Sequence, residues 1–162
     1  MLSKIKLDLI DHKILNILQK NGKITNAKLS ENIGLSPAPT LERVKKLENS
    51  GIIKSYHAEL NSEMLGLGVN IFVQVTLKGH NKPNIETFLT AINKIDEVIE
   101  CHHITGSGDF ILRIIAKDIA SYQILMLEKV SDIEIVDSLQ SMVILSTFKD
   151  SKSIPIPEQI KN

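Results

Sequence analysis

Cysteine is nearly absent from this chain: Cys101 is the single one among 162 residues. One thiol cannot close a disulfide within the chain, so no disulfide framework is expected, and a cytoplasmic setting fits. Tryptophan is missing and aromatic residues make up only 4 %. No apolar run approaches the ~20 residues of a membrane-spanning helix, so no membrane partner is expected. The opening MLSKIKLDLIDHK is interrupted by charges every few residues and has no apolar core of signal type, so no secretory leader is expected. Net charge is missing too, since 19 Lys and Arg balance 19 Asp and Glu. No nucleotide-binding glycine fingerprint, metal-ligand cluster or catalytic-triad spacing occurs, so neither enzymatic activity nor a cofactor is expected.

What remains is an apolar content of 43 % and a charged content of 23 %, enough for a folded core with an ordinary polar surface. The neutral total hides an asymmetry. Residues 1–60 carry ten bases, nine Lys and Arg43, against six acids, Asp8, Asp11, Glu31, Glu42, Glu48 and Glu59. The remainder carries nine bases and thirteen acids. Such a split suggests two domains with different partners, although chance also produces it on a short chain.

The basic part has the periodicity of three short helices. Ile10, Ile14, Ile17 and Leu18 form a first stripe, with Asp8 or Asp11 as the cap and Asn21-Gly22 as the stop. Thr25 stands where a second helix is capped, Ala27, Leu29 and Ile33 form its stripe, and Gly34 closes it. Ser36-Pro37 opens a third helix, with Ser36 as cap and Pro37 in the first turn, where a missing N–H costs nothing. Leu41, Val44 and Leu47 are expected to face inward and Thr40, Arg43 and Lys46 outward. Glu42 and Lys46, four apart, are expected to pair.

Two short helices joined by a few residues that include Gly make a helix-turn-helix signature. The second helix of such a pair enters the DNA major groove. It needs small residues at its tip, hydrogen-bonding side chains for base edges, and Lys or Arg for phosphates. Thr25, Ser36, Pro37, Ala38, Thr40, Arg43, Lys45 and Lys46 are therefore the candidate DNA-binding residues. The periodicity alone equally describes an ordinary three-helix bundle with a solvated basic face.

The remainder predicts βαββαβ. VNIFVQVTLK (69–78) alternates as a half-buried strand, a helix runs from Pro83 to about Ile95, strands cover 98–105 and 109–116, and Asp118 caps a helix carrying Tyr122, Leu125, Met126 and Val130. A last strand spans about 134–148. This order is the ferredoxin-like arrangement, with both helices on one face of the sheet. The other face is expected to carry Phe72, Ile111, Ile115, Met142 and Ile144, an apolar set that suggests a partner subunit. The fold class is thus α+β: a winged or tri-helical helix-turn-helix domain over 1–60, a linker over 61–67, a ferredoxin-like domain over 68–149, and a tail over 150–162. The tail, with Pro155 and Pro157, is expected to be extended and able to contact a neighbour.

One loop offers ligand chemistry. Gly106-Ser107-Gly108 frees backbone N–H groups for a carboxylate, and Asp109 can hold an ammonium; a tight turn with Asp109 bonding its own backbone is the plainer reading. His103, Thr105, Met142 and Ile144 complete the candidate effector-binding set. His102 and His103 are adjacent on a strand and point to opposite faces, so they are not expected to share a metal. Cys101 is expected to be a buried small hydrophobe.

Several strings resemble the leucine-responsive regulatory protein/AsnC family of feast–famine regulators. They are Leu7-Asp8…Asp11…Ile14-Leu15…Leu18-Gln19…Asn21-Gly22-Lys23, then Leu29-Ser30…Ile33-Gly34-Leu35-Ser36-Pro37, then Leu41-Glu42-Arg43-Val44…Leu47-Glu48…Gly51-Ile52-Ile53…Tyr56. Val98…Glu100-Cys101-His102…Thr105-Gly106…Asp109 and Tyr122 extend the likeness over about the first 149 residues. The resemblance implies a sequence-specific transcription regulator on double-stranded DNA, responsive to an amino acid or related small metabolite bound near the 106–109 loop between dimers. It also implies homodimers through the second domain, assembled further into tetramers of dimers. An alternative is a metabolite-binding or assembly protein without DNA affinity. Such relatives usually have an acidic or aromatic residue just before the Asp that corresponds to Asp109. The smaller Gly108 here implies a different effector preference.

Overall fold

The computed structural model describes residues 6–157. Lys4, one of the nine lysines counted above, and the part of the tail beyond Pro157 lie outside the described residues. The chain divides into two compact units: residues up to Glu59 together with those from Lys149 onward, and Leu60–Phe148.

The first unit is built on three helices, α1 (Leu9–Leu18), α2 (Asn26–Ile33) and α3 (Pro37–Asn49). Asp8 caps α1 by accepting the Asp11 N–H at 2.8 Å, and Asp11 returns the bond by accepting the Asp8 N–H at 3.2 Å. This reciprocal box satisfies two otherwise orphaned donors, and a cap of this kind is worth ~1 kcal/mol. Thr25 caps α2 by accepting the Lys28 N–H at 3.2 Å. Gly34 ends α2 at φ 74°, the left-handed conformation that glycine adopts without steric penalty. Gly22, by contrast, does not take a positive φ. Its missing side chain admits Tyr56, whose Cδ1 would stand 3.2 Å from a β-carbon there.

Ile14, Leu15, Leu29, Ile33 and Leu47 form the core of this unit. On α2 the inward polar position is Ser30 and Ala27 is exposed, contrary to the expected stripe. Ser30 is tolerated inside because its hydroxyl donates to the Ala27 carbonyl at 2.7 Å. The facing of α3 also differs from expectation. Thr40 is fully buried, whereas Leu41 is 43 % exposed. Rotation about the helix explains this: position 40 lies roughly 20° from Leu47 and position 41 about 120° from it. The Thr40 hydroxyl donates to the Ser36 carbonyl at 2.9 Å, so its burial leaves no polar group without a partner.

The second unit is a four-stranded antiparallel sheet with helices on one face. Its elements are β1 (Val69–Leu77), α4 (Lys82–Ile92), β2 (Val98–His103), β3 (Phe110–Ala116), α5 (Ile119–Leu125), continued by a π turn over Met126–Val130, and β4 (Val136–Val143). The strand order is β2-β3-β1-β4, the ferredoxin-like arrangement. Ile71, Val73, Val75 and Leu77 of β1 and Phe110, Leu112, Ile114 and Ala116 of β3 are buried, together with Phe88, Ile92, Tyr122, Leu125, Met126 and Val130. Each such large apolar side chain contributes ~1.5–3 kcal/mol. The other sheet face shows Phe72, Ile111, Ile115 and Met142 as the alternation predicts, with Met142 directly opposite Phe72. Ile99 is an extra residue in β2, since Val98 pairs with Ile114 and Glu100 with Arg113. Beyond this bulge Glu100 and His102 lie on the open face, and Cys101 packs toward the helices. Among the described residues no helix is long and apolar enough to cross a membrane.

Candidate nucleic-acid interface and effector loop

The tip of α3 is fixed from α2: Asn26 Nδ2 donates to the Pro37 carbonyl at 2.8 Å. Ser36 occupies the cap position but makes no side-chain cap bond. The sequence contributes to this: of the two N–H groups that such a cap accepts, those of the second and third helical residues, the latter is missing because that residue is Pro39. The Ser36 hydroxyl therefore stays available at the helix tip. Pro37, Ala38, Leu41, Glu42, Lys45 and Lys46 are exposed along the outer face. Ala38 lets the backbone approach a surface, and the two lysines bring positive charge. Among the described residues Lys45 and Lys46 are in no ion pair, whereas Lys28 binds Glu31 at 2.8 Å. The expected Glu42–Lys46 pair is not formed.

Two candidates are not on this face. Thr40 is buried, as described, and cannot reach DNA edges. Arg43 turns back toward α1, where its Nη1 donates to Asp8 Oδ2 at 2.6 Å and to Asp11 Oδ1 at 2.7 Å. Its side chain is 32 % exposed and that of Asp11 only 3 %. Arg43 neutralises a buried carboxylate and ties α3 to the α1 cap. The backbone N–H of Asp11 holds the Asp8 carboxyl below the usual carboxylate range, with Arg43 adding to the effect. The signal for this clamp is two acids, one at the cap and one in the first turn, of a helix that otherwise lacks inward polar residues. Thr25 is exposed, with its hydroxyl oxygen engaged as the α2 cap. Behind the helices Tyr56 donates to Glu48 at 3.0 Å, and burial, aided by this carboxylate, pushes its phenol up to about 12.

The loop from Ile104 to Asp109 closes with the Ile104 N–H on the Asp109 carbonyl at 2.9 Å. Gly106 takes φ 123°, and Thr105, Gly106 and Ser107 are exposed. Asp109 does not bond its own backbone. Its N–H donates to the Val75 carbonyl at 2.9 Å, and its Oδ2 accepts the Leu77 N–H at 2.8 Å. His80 Nδ1 lies 2.7 Å from the other oxygen. Both carboxylate oxygens are thus engaged, at the point where β1 shifts register against β4. Asp109 staples the loop to the sheet. Gly108 is buried beneath Gln74, and a β-carbon there would stand 2.4 Å from Gln74 Cγ. Gln74 Nε2 also donates to Ser107 Oγ at 3.2 Å. Gln74 therefore occupies the room that the absent side chain at 108 leaves.

The sheet does not gather all the candidate effector residues in one protomer. Along β1 the loop sits at Val75 to Leu77, Met142 lies opposite Phe72, and Ile144 bonds Asn70. At ~3.3 Å per residue, six residues of strand put Ile144 about 20 Å from the loop. The residue across from Gln74 is Gln140. His103 is exposed at the end of β2, its ring 5.1 Å from that of Phe110. Gln74, Gln140 and His80 were not singled out by the sequence. Period two from Phe72 places Gln74 on the open face, which was the available signal.

The open face also carries charge. Arg113 Nη1 donates to Glu100 at 2.8 Å and its Nε to Asn70 at 3.1 Å, while His102 lies 3.1 Å from Glu100. His102 and then Arg113 hold the Glu100 carboxyl below its ordinary range. Burial pushes the Cys101 thiol up, which favours its protonated form. Among the described residues no cluster of His, Cys, Asp and Glu has metal-binding geometry.

Comparison with known proteins places both units. Residues 7–54 match a winged helix-turn-helix DNA-binding model and residues 70–154 the Lrp/AsnC ligand-binding domain. The chain is 39 % identical over 150 residues to the leucine-responsive regulatory protein of Escherichia coli strain K12, covering 93 % of this chain and 92 % of that one. It is 36 % identical over 156 residues to the protein of the same name from Rhizobium meliloti, covering 96 % and 100 %. Among solved structures, a Neisseria meningitidis transcriptional regulator in complex with L-methionine superimposes with a TM-score of 0.89 at 36 % identity, covering 93 % and 97 %. AsnC of E. coli superimposes at 0.81 with 25 % identity, covering 98 % and 100 %.

Proposed function

The chain belongs to the Lrp/AsnC family of transcription regulators, and from that membership we propose that it binds operator DNA through the outer face of α3 under the control of an amino acid held at the 105–109 loop. The observation that carries the DNA reading is the tip of α3. The Ser36 hydroxyl makes no cap bond, Ala38 keeps the surface shallow, and Lys45 and Lys46 are exposed without ion-pair partners among the described residues. Ser36 and Pro37-Ala38 approach the groove, and the lysines contact phosphates. Thr25 adds a phosphate contact from the start of α2. Arg43 and Thr40 support the helix from within.

At the loop, the exposed backbone of Gly106 and Ser107 offers N–H groups to a carboxylate. Asp109 acts as a positioning residue, because its oxygens already hold Leu77 and His80. Ser107, Gln74 and Gln140 supply the remaining polar contacts. His103 flanks the loop, paired with Phe110, whereas Met142 and Ile144 lie too far along the sheet to join it and contribute from a neighbouring copy. The L-methionine complex of the Neisseria regulator makes methionine the first amino acid to test. Homodimers form through the open sheet face around Phe72, Ile111 and Met142, and dimers associate further. An amino acid then alters assembly or DNA affinity only through unequal binding to two states, a coupling that is typically ~1–3 kcal/mol.

An electrophoretic shift of the protein's own promoter DNA, with and without each amino acid, tests this reading. A shift altered by at least one amino acid supports it. No shift in any condition favours the alternative, a metabolite-binding protein without DNA affinity.

A further inference from the structure

The C-terminal segment is docked on the helix-turn-helix unit. Residues 153–157 have no regular secondary structure, yet they group with the helices and not with the sheet that precedes them. Ile156 packs against the core cluster of Ile14, Leu15 and Leu47. The Ile154 N–H donates to Gln19 Oε1 at 2.7 Å, at the C-terminal end of α1. Lys152 Nζ approaches Glu59 at 3.8 Å and Asp150 at 2.6 Å. The segment borders an apolar groove of about 500 Å³, whose other walls include Leu7, Leu15, Leu18, Ile53 and Tyr56.

We propose that residues 152–157 form a strap that completes the DNA-binding unit, and that the groove between α1 and the 52–56 segment is an interaction surface for this proline-flanked aliphatic stretch of the chain's own C terminus. Its sequence suits the task. Pro155 and Pro157 fix φ and favour an extended backbone, so little conformational entropy is lost on docking. Neither proline has an N–H, so each removes a donor that would need a partner at an apolar wall. Gln19 satisfies the Ile154 donor, and Ile156 provides the apolar anchor. Lys152 adds a charged contact at the rim.

The strap acts without touching the DNA-reading surface, since no residue lining the groove belongs to α2 or α3. It bears on α1, which holds α3 through Asp8, Asp11 and Arg43. The strap also means that the helix-turn-helix unit is assembled from two stretches of chain, one before and one after the sheet domain. Its release loosens α1, and through the Arg43 clamp the placement of α3.

Hydrogen exchange on the full-length protein tests this, comparing wild type, Ile156→Asp, the milder Gln19→Ala, and a chain ending at Phe148. Ile156→Asp and the truncation are expected to speed exchange at least tenfold in Leu9–Leu18 and residues 52–56, with β1 and β3 unchanged. Gln19→Ala should give a few-fold effect in the same segments. A synthetic peptide of residues 150–162, added to the truncated chain, should restore protection. Exchange in α1 indistinguishable from wild type in all three variants would overturn the proposal. So would nuclear Overhauser contacts between Ile156 and Leu15 seen only between differently labelled copies, because the occupant would then be the tail of another molecule.

Discussion

Arg43 on α3 donates to Asp11 on α1 at 2.7 Å, across the helix-turn-helix unit, and Asp11 is almost wholly removed from solvent. An arginine in a recognition helix invites a role in reading bases, but here the guanidinium is committed to a buried carboxylate. Removing it leaves that charge without its cation, which typically costs several kcal/mol when the pair is fully buried. Because Arg43 is partly exposed, we expect Arg43→Ala to destabilise the protein by ~2–4 kcal/mol in urea unfolding. Arg43→Lys keeps the charge but moves it, since the Nζ of a lysine does not stand where Nη1 now bridges both carboxylates, so it should recover only part of this. An Arg43→Ala protein of unchanged stability and lowered DNA specificity would restore the base-reading role.

The α1 cap has a predictable response to acid. The Asp8 carboxyl titrates below its ordinary value because the Asp11 N–H and Arg43 favour its charged form. A group with a depressed folded pKa contributes stability that is complete above its unfolded value, near ~4, and is lost as pH falls through the lower folded value. Asp8→Asn keeps the capping geometry and removes the charge. At pH 7 it should therefore lower stability, by no more than about 1 kcal/mol given the exposure of Asp8. The difference from wild type should shrink as pH falls through the depressed Asp8 value. Stability curves of the two proteins that stay parallel from pH 7 to pH 2 would contradict this origin of the shift.

Gly108 and Gln74 are a matched pair. A β-carbon at 108 would stand 2.4 Å from Gln74 Cγ, so Gly108→Ala forces the glutamine or the loop to move. Overpacking of this kind costs ~1–3 kcal/mol. The second substitution Gln74→Ala is expected to return most of that stability, and thermal melting of the two single variants and the double variant measures the coupling. Additive losses in the double variant would show that the clash is not the cause.

The open sheet face gives a prediction about assembly. Phe72 and Met142 lie side by side there, with Ile111 and Ile115 beside them. Phe72→Asp removes the ring and puts a carboxylate between Met142 and Arg113, and it should convert the proposed dimer to a folded monomer in sedimentation velocity at micromolar concentration. A variant that sediments like wild type would place the interface elsewhere.

Much of this architecture was legible from periodicity. Val69 to Leu77 alternates strictly, so its strand and its buried side followed directly, and the βαββαβ order then constrained the sheet. Asp118 and Thr25 marked helix starts by their ability to accept backbone N–H bonds, and both do so. Facing on α3 was misjudged because hydrophobicity suggested Leu41 as the inward residue, while helix geometry puts Thr40 there. Threonine is acceptable in that place only because its hydroxyl finds the carbonyl one turn back, an arrangement that composition does not reveal. The Arg43 clamp and the Asp109 staple were hidden for a related reason. Each joins residues about thirty positions apart, and the sequence shows the charge but not which partner the fold brings to it. Gln74 over Gly108 likewise needs the strand register to be known.

The surface of α3 remains the centre of the functional reading, and a titration of labelled promoter DNA by fluorescence anisotropy, across a range of salt concentrations, tests it most directly. The comparison is between wild type and the Lys45→Ala/Lys46→Ala double variant, neither lysine having an ion-pair partner among the described residues. The double variant is expected to melt like wild type and to bind at least tenfold more weakly. The slope of log affinity against log salt should become shallower by about 0.9 for each phosphate that is no longer neutralised. Equal affinity and equal salt slope for the two proteins would mean that DNA does not lie on this face.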